Sequence, residues 1–308
     1  MTTRRALLLA LALATLLLGG IVVDLARGLR SAGSVDLGVL PAAQDAATTY
    51  LLVGSDSRER LSAQERVRYP SPSQERGERA DAIVLLEVDG LDVRALDLPR
   101  DLVTGATRGD TASLSTRLLN GPGELVSTLC LDLGVRVDHL VLIGFDGLVA
   151  LVDALGGVEI GVREPVRDRK ARLDLPLAGR QLLDGQTALA WVRSREPEVF
   201  RDGRWVRTSW AEEGRATHLS EVLTAIAGTR SPLALRAAIH AAGPTLRVDA
   251  GLGLWEWAQL GRALVDLGAD ADGIPVARTA PDAERTSDLV VMAETEIDLQ
   301  PFHDPACT

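Results

Sequence analysis

The chain has 308 residues and a formal net charge of −10 at pH 7, with 46% hydrophobic and 25% charged residues. These values are usual for a globular protein that can bury a sizeable core. The acidic balance argues against a nucleic-acid-binding protein, and the four histidines show no metal-ligand spacing, which argues against a zinc site.

The N-terminus carries an uncharged, apolar run over residues 6–23, preceded by Arg4 and Arg5. As a helix this run would be about 27 Å long, close to the thickness of a bilayer core. A cleaved secretory signal begins with the same positive residues. The run is longer than a usual signal core, however, and no convincing small-x-small cleavage site follows before Gly28. We therefore favour a retained transmembrane helix over a signal peptide.

A retained anchor fixes the side of the membrane on which the rest of the chain lies. The positive residues predict a cytoplasmic tail over residues 1–5 and a single-pass protein of the cell membrane. Residues 24–47 are small and polar without a sustained period, so we interpret them as a tether to an extracytoplasmic domain over residues 48–308. Export would permit a disulfide between Cys130 and Cys307. A buried Cys130 and a loose Cys307 are the alternative, which the sequence leaves open.

The ordered domain is predicted to start with a strand over residues 48–53, a β-prone run that stops at Gly54 and is followed by Asp56. A hairpin is predicted next, because Asp89-Gly90 is the dipeptide that a two-residue type I′ turn prefers. With Val88 opposite Leu91, Asp81 would face Leu98.

Charged residues would then meet at the open end of this hairpin. In the predicted register Arg100 emerges beside Asp81, and Asp56 joins them if the first strand runs alongside. Strand ends that open onto loops are where α/β proteins place chemistry. An ordinary surface ion pair at a hairpin mouth explains the pattern equally well.

A βαβ unit is predicted downstream, with strands over residues 139–143 and 158–162 and a helix from about Asp146 to Gly156-Gly157. The helix is apolar nearly all round, which is typical of a buried helix. A Leu-Asp-Gly turn and a short helix follow and lead into a cluster of arginines.

The arginine cluster comprises five arginines against three acidic residues, within residues 191–207. Mixed-charge runs are more often solvated loops than sites, but the positive excess favours an anionic ligand. We interpret Asp202 as the N-cap of a helix. Arg204 and Arg207 would then lie on one face of its first turn, where an anion also gains from the free N–H groups. The flanking Arg201 is not expected to take part.

Seven stretches resemble, in order, the successive motifs of the LytR-CpsA-Psr family over residues 48–228: GSDSR, RADAIVLLEVDG, LPRD, STRLLNGPGE, DHLVLIGFDGLVALVDALGGVEI, LDGQTALAWVRSR and DGRWVR. The resemblance implies a single α/β domain with a central mixed β-sheet flanked by helices and an apolar lipid pocket. It also implies a membrane-anchored, Mg²⁺-dependent transferase that moves a glycan from a polyprenyl-pyrophosphate carrier onto peptidoglycan and leaves a phosphodiester link. The same chemistry allows a pyrophosphatase side activity, and the sequence leaves open whether hydrolysis of the carrier competes with transfer.

The resemblance also assigns residues by motif. Asp56 and Asp81 would hold Mg²⁺, an ion that keeps phosphate oxygens and water for its other ligands. Forked guanidiniums suit a pyrophosphate, so the catalytic set would be Arg100, Arg193, Arg195 and Arg204, and the substrate-binding set Arg79, Arg117, Arg207 and Asp202.

The chain departs from the family pattern at several positions. Arg117 stands where the family usually has lysine, Glu196 replaces a usual histidine, and Thr208 and Ser209 replace a usual glutamine pair. Glu196 adds a negative charge beside the predicted anion site, which favours reduced or redirected activity. A catalytically silent protein that binds polyprenyl phosphate or wall glycan is the alternative. A transcription regulator, which the family's historical name suggests, conflicts with the N-terminal segment.

Overall fold

The computed structural model describes residues 23–38, 47–57, 77–105, 109–208, 212–229, 231–267, 299 and 302–307. The predicted membrane helix lies outside these residues except for Val23, as does Ser209. Among the helices within these ranges, none is both long enough and apolar enough to span a bilayer.

A central mixed sheet organises the domain, in the strand order β1-β14-β7-β2-β3-β4. β1 pairs with β14 and β2 with β7 in parallel, whereas the other neighbours are antiparallel. The strands in chain order are β1 (Gly33–Val35), β2 (Thr48–Ser55), β3 (Ala80–Asp89), β4 (Asp92–Asp97), β5 (Val103–Thr104), β6 (Ala112–Ser113), β7 (His139–Ile143), β8 (Val158–Val162), β9 (Val166–Asp168), β10 (Leu173–Leu175), β11 (Gly179–Leu183), β12 (Glu198–Arg201), β13 (Arg204–Arg207) and β14 (Leu246–Asp249).

Helices cover both faces of this sheet. Successive strand residues point to opposite sides, and apolar side chains lie on both sides. Leu51, Leu85 and Leu140 pack on one side against α1 and α2, and Tyr50 and Leu86 pack on the other against α5 and α7. The predicted mixed sheet flanked by helices is confirmed. The helices are α1 (Leu114–Arg117), α2 (Pro122–Leu133), α3 (Phe145–Ala154), α4 (Gly185–Arg193), α5 (Glu212–Ala227), α6 (Pro232–Ala242) and α7 (Leu254–Leu267). Residues 23–29, the N-terminal helical segment, precede them.

The β3–β4 hairpin has a different register from the predicted one. Asp89 pairs with Asp92, so the two-residue loop is Gly90-Leu91 and the predicted pairing of Val88 with Leu91 is wrong. Gly90 has a φ of 59°. Glycine with positive φ at the first loop position is typical of a type II′ turn, which fits strand twist as well as the predicted type I′ turn does.

The predicted βαβ unit is also corrected. Its three elements are present as β7, α3 and β8, but β8 pairs antiparallel with β11 in a separate two-stranded sheet. A second core lies there, in which Ile160 and Val199 pack around Trp191 of α4. α3 is not buried all round, since Leu148 is only partly buried. It packs mainly against α4 and α6, which cover two of its sides.

The segment predicted as a tether belongs to the domain over the part that the structure describes, residues 23–38. Its strand β1 forms the edge of the central sheet, and both Ala26 and Leu37 are buried. Its small residues permit close packing: a Cβ on Gly28 would lie 2.8 Å from Cγ2 of Ile239 in α6. A three-residue strand is too short to show a sequence period, which is why the segment resembled a tether.

A disulfide joins Cys130 of α2 to Cys307, so the open choice for the two cysteines is resolved. The C-terminal residues lie along the end of α2, where Val135 and His303 form an isolated β-bridge. The bond therefore fastens the end of the chain to the helical layer on one face of the sheet.

Candidate functional site

Charged residues converge at the carboxyl ends of the parallel strands β2 and β7. Asp56 directly follows β2, and its Oδ1 accepts a hydrogen bond of 2.7 Å from the backbone N–H of Arg79. The backbone N–H of Asp56 donates in turn to the carbonyl of Arg79 at 3.1 Å. This reciprocal pair fixes the half-buried Asp56 carboxylate at the end of the sheet.

The corrected hairpin register brings a second carboxylate and an arginine to the same place. If the β3–β4 pairing is extended beyond its last pair, Arg100 rather than Leu98 falls opposite Asp81. The two side chains meet, because Nη1 of Arg100 donates to Oδ1 of Asp81 at 2.6 Å. Nη2 of Arg195, from the segment after α4, lies 4.0 Å from the same oxygen.

The two carboxylates lie near each other in a partly desolvated setting. Burial raises the pKa of Asp56, and the neighbouring charge of Asp81 raises it further, while the N–H of Arg79 opposes both. Two adjacent carboxylates form an oxygen donor set that suits Mg²⁺. Within the described ranges, no group of three or more His, Cys, Asp and Glu side chains could hold a metal ion. Asp56 and Asp81 could supply two oxygen ligands to such an ion, which would take the others from phosphate and water.

Two further charged residues at this end of the sheet were not predicted. Glu78 accepts hydrogen bonds from Ser55 Oγ at the end of β2 and from Arg247 Nη2 of β14. The ion pair between Glu78 and Arg247 joins residues far apart in sequence. No local pattern marks Arg247, since its role depends on β14 lying two strands away from β2 in the sheet.

Asp168 is a buried positioning residue that the sequence also did not reveal. Its Oδ2 accepts hydrogen bonds from Ser194 Oγ at 2.7 Å and from the N–H groups of Arg195 at 3.2 Å and Glu196 at 3.4 Å. Its Oδ1 accepts from the N–H groups of Lys170 and Ala171. Burial alone would raise the pKa of Asp168, but these donors outweigh it and lower the pKa. Asp168 thus holds the backbone that carries Arg195 towards Asp81.

Asp168→Asn is expected to lower the free energy of unfolding by about 2–3 kcal/mol, because an amide nitrogen would face N–H and O–H donors. Since the folded pKa is depressed, the carboxylate stabilises the fold above its unfolded pKa of about 3.8. That contribution is lost as the pH falls through the folded pKa. Urea unfolding at several pH values should therefore show a difference between wild type and variant that shrinks in acid. Asp174→Asn, at the exposed middle position of β10, is the control, and equal losses in both variants would contradict this role.

A hairpin of β12 and β13, here called the arginine hairpin, is present where a helix was predicted after Asp202. β12 and β13 pair so that Arg201 faces Arg204, and Asp202-Gly203 forms the loop with φ angles of 50° and 75°. Positive φ at both positions indicates a type I′ turn, for which Asp-Gly is a strong signal. Asp202 is therefore a turn residue and not an N-cap. Arg204 and Arg207, three residues apart on a strand, point to opposite faces and form no common clamp at a helix end.

Several charges around this hairpin are paired. Arg201 Nε donates to Glu164 at 2.7 Å, and Glu198, opposite Arg207 in the strand register, accepts from Arg167 Nε at 2.6 Å. Glu196 accepts a 2.7 Å hydrogen bond from Lys170, which lowers its pKa. The negative charge at Glu196 is thus met by the single lysine of the chain.

Two other predicted site residues, Arg193 and Arg117, have partners outside the Asp56–Asp81 group. Arg193, at the end of α4, stacks over the ring of Phe145 at 4.7 Å. Arg117 is buried and donates to Thr104 and Asp110, with Glu124 nearby, so its guanidinium holds the loop between β5 and β6. The structure brings together Asp56, Arg79, Asp81, Arg100 and Arg195, while Arg204 and Arg207 are exposed on β13.

Comparisons with known proteins show which family this chain resembles. A model of the LytR_cpsA_psr family matches residues 25–226. The probable cell wall biosynthesis protein LcpB of Corynebacterium glutamicum is 32% identical over 240 residues, which are 77% of this chain and 56% of that protein. The chain therefore spans about half the length of this curated relative.

Two further relatives extend the comparison. The polyisoprenyl-teichoic acid–peptidoglycan teichoic acid transferase TagU of Halalkalibacterium halodurans is 27% identical over 215 residues, which cover 68% of this chain and 63% of that protein. The solved structure of a LytR-Csp2A-Psr enzyme from Actinomyces oris superposes with a TM-score of 0.71 and 30% identity, covering 90% of this chain and 97% of that chain. Because the family model matches most of its length, the chain belongs to the LytR-CpsA-Psr family.

Proposed function

We propose that this protein is a membrane-anchored transferase that moves a glycopolymer from a polyprenyl-pyrophosphate carrier to peptidoglycan. Family membership supports the reaction class, and one relative is named as a teichoic acid transferase acting on peptidoglycan. The observation that carries the proposal is the contact of Arg100 and Arg195 with Asp81, beside Asp56. Carboxylates that can share a cation, flanked by forked guanidiniums, suit a pyrophosphate.

The roles of the residues follow from this arrangement. Asp56 and Asp81 would hold Mg²⁺, which when bound would neutralise charge on the phosphate oxygens. Arg79, Arg100 and Arg195 would orient the pyrophosphate. An acceptor hydroxyl oxygen then forms a bond to the glycan-side phosphorus while the bond from that phosphorus to the bridging oxygen breaks. Polyprenyl phosphate leaves, and the hydroxyl proton passes to solvent. Water in place of the acceptor would give the pyrophosphatase side reaction.

The proposed topology has residues 6–23 as a single membrane helix with the domain outside the cell. The sequence supports it through the uncharged run and the preceding arginines. The chain continues as the N-terminal helical segment and enters the sheet at β1, where Gly33 lies opposite Arg247. Because Arg247 contacts Glu78, the anchor would join the domain at the same end of the sheet as the candidate site.

The direct test uses the purified full chain in vesicles with a radiolabelled glycan on a polyprenyl-pyrophosphate carrier, peptidoglycan and Mg²⁺. We expect label to appear on peptidoglycan through an acid-labile phosphodiester, together with equimolar polyprenyl phosphate. Retention of the carrier without any transfer would instead favour the silent binding protein. Transfer that persists unchanged in the presence of a chelator would remove Mg²⁺ from the proposal.

Arg195→Lys is expected to reduce transfer about tenfold, because lysine keeps the charge but loses the planar fork that makes paired hydrogen bonds. Arg201→Lys is the matched control, since the side chains of Arg195 and Arg201 are 52% and 55% exposed and Arg201 is paired with Glu164 away from Asp81. Initial rates at saturating carrier measure the effect. Equal rates for the two variants would exclude Arg195 from phosphate binding.

A further inference from the structure

The first two turns of α6 form an exposed apolar surface, the α6 tip, made of Pro232, Leu233, Leu235 and Ala237. Leu233 is 80% exposed and Leu235 is 51% exposed. Arg236 is the one charged residue of these turns, and its Nε and Nη2 donate to the two carboxylate oxygens of Asp24 at 2.6 and 3.0 Å. Leu233 and Leu235 are two residues apart and lie on different sides of the helix, so with Pro232 they make its first turn apolar around the axis, which suits an end-on contact.

The N-terminal helical segment lies beside α6 and runs parallel to it. Asp24 contacts Arg236 and also His240, whose Nε2 lies 3.1 Å from Oδ2 of Asp24. Four residues later, the backbone at Gly28 is in close contact with Ile239 and Gly243. Later residues of one segment thus meet later residues of the other. The start of α6 therefore points the same way as the start of the segment, towards Val23.

This direction places the α6 tip at the level where the uncharged run ends. Leu233 precedes Arg236 by three residues, so it lies about 5 Å further along the helix axis, on the side of Arg236 towards Val23. Val23, the last residue of the run, is itself 49% exposed. On the opposite, domain side of Asp24, Arg27 and Arg30 are exposed, at a height that suits phosphate headgroups.

We propose that the α6 tip inserts Leu233 and Leu235 into the outer boundary of the bilayer, as a second membrane contact beside the anchor. The inference rests on the proposed anchor over residues 6–23. Asp24 clamps the segment to α6, so the two contacts hold the domain in one orientation. Since the N-terminal helical segment joins the sheet at the end that carries Asp56 and Asp81, this orientation keeps the site close to the membrane surface.

The test uses the full chain in vesicles of phosphatidylglycerol and phosphatidylethanolamine, with an environment-sensitive fluorophore on Leu233→Cys. The native cysteines are disulfide-bonded, so the new thiol is labelled selectively. Leu91→Cys is the control, because Leu91 is 84% exposed at the hairpin tip, at the other end of β3 from Asp81. We expect blue-shifted emission and quenching by acyl-chain-brominated lipid at position 233, and neither at position 91.

Three results would overturn the inference: equal emission and quenching at the two positions, quenching at Leu91 alone, or a chain that does not co-sediment with the vesicles. The depth measurement needs no substrate. A protein that transfers no glycan but carries a quenched label at 233 would contradict the transferase proposal and support the membrane contact. As a functional readout, Leu233→Asn with Leu235→Asn should lower transfer from a long-chain carrier in vesicles. Transfer from a water-soluble short-chain carrier should stay unchanged, and equal losses with both carriers would also contradict the contact.

Discussion

Asp81→Asn is expected to reduce glycan transfer about 100-fold or more, an effect typical of removing a charge aimed at a reacting group. The carboxylate has two tasks in the proposed site, since it would share Mg²⁺ with Asp56 and it positions Arg100 through a 2.6 Å hydrogen bond. The variant should fold, because the Asp81 side chain is 30% exposed at the start of β3 and is not part of a core. Initial rates across a Mg²⁺ titration, with circular dichroism to verify folding, measure the effect.

The matched control is Asp89→Asn, the same substitution at the other, exposed end of the same strand. We expect wild-type transfer from this variant, whereas Asp56→Asn should resemble Asp81→Asn and should also require more Mg²⁺. Wild-type rates for Asp81→Asn at every Mg²⁺ concentration would remove the carboxylate pair from the mechanism. A Mg²⁺ requirement unchanged in both carboxylate variants would assign the ion to other ligands.

Removal of the disulfide in a Cys130→Ala, Cys307→Ala variant is expected to lower the free energy of unfolding by about 2–5 kcal/mol. The bond closes a loop with a sequence separation of 177, so its loss frees a long stretch of the unfolded chain. Urea unfolding of the two proteins should show a lower midpoint for the variant, and reduced wild type should resemble the variant. Transfer below the transition should change little, since the bond joins α2 to the C-terminal residues and carries none of the contacts described for Asp56 and Asp81. An unchanged midpoint on reduction would contradict the prediction.

Elements that are determined by residues close together in the chain could be predicted from the sequence pattern. The strand ending before Asp56, the β3–β4 strands and the α3 helix follow from alternation, apolar periodicity and glycine positions, and all are present. The convergence of Asp81 and Arg100 was predicted for the right reason, the open end of a hairpin, although the register was wrong. Gly90 could begin the loop as readily as it could end it, and the sequence does not distinguish these alternatives.

The arginine hairpin shows a different kind of error. Asp202-Gly203 is a dipeptide that type I′ turns prefer, but Asp202 was interpreted as a helix N-cap because the following run could continue as a helix. The helix does exist, but it begins at Glu212. The four-residue strand β13 lies between the turn and that helix, and such a short strand shows too little alternation to outweigh helix propensity.

Residues whose role depends on sheet order could not have been found in the sequence. Arg247 meets Glu78 only because β14 is inserted between β1 and β7. Asp168 is buried because the segment after α4 folds back over it, and a lone aspartate between arginines has the appearance of a surface residue. In both cases the determining contact joins residues far apart in sequence, which periodicity and spacing do not encode.

The position of β1 also bears on how the domain assembles. Among the strands that the structure describes, the first is the outer neighbour of the last, since Gly33 pairs with Arg247 and Val35 with Asp249. The paired residues lie near opposite ends of the domain's sequence. Contacts of such high sequence separation form slowly because a long loop must close first. Until β14 has been synthesised, β1 has no partner and the outer edge of β7 is open. We therefore expect the sheet to close from its β2–β3–β4 side, and the incomplete chain to need protection from edge-to-edge aggregation before β14 arrives.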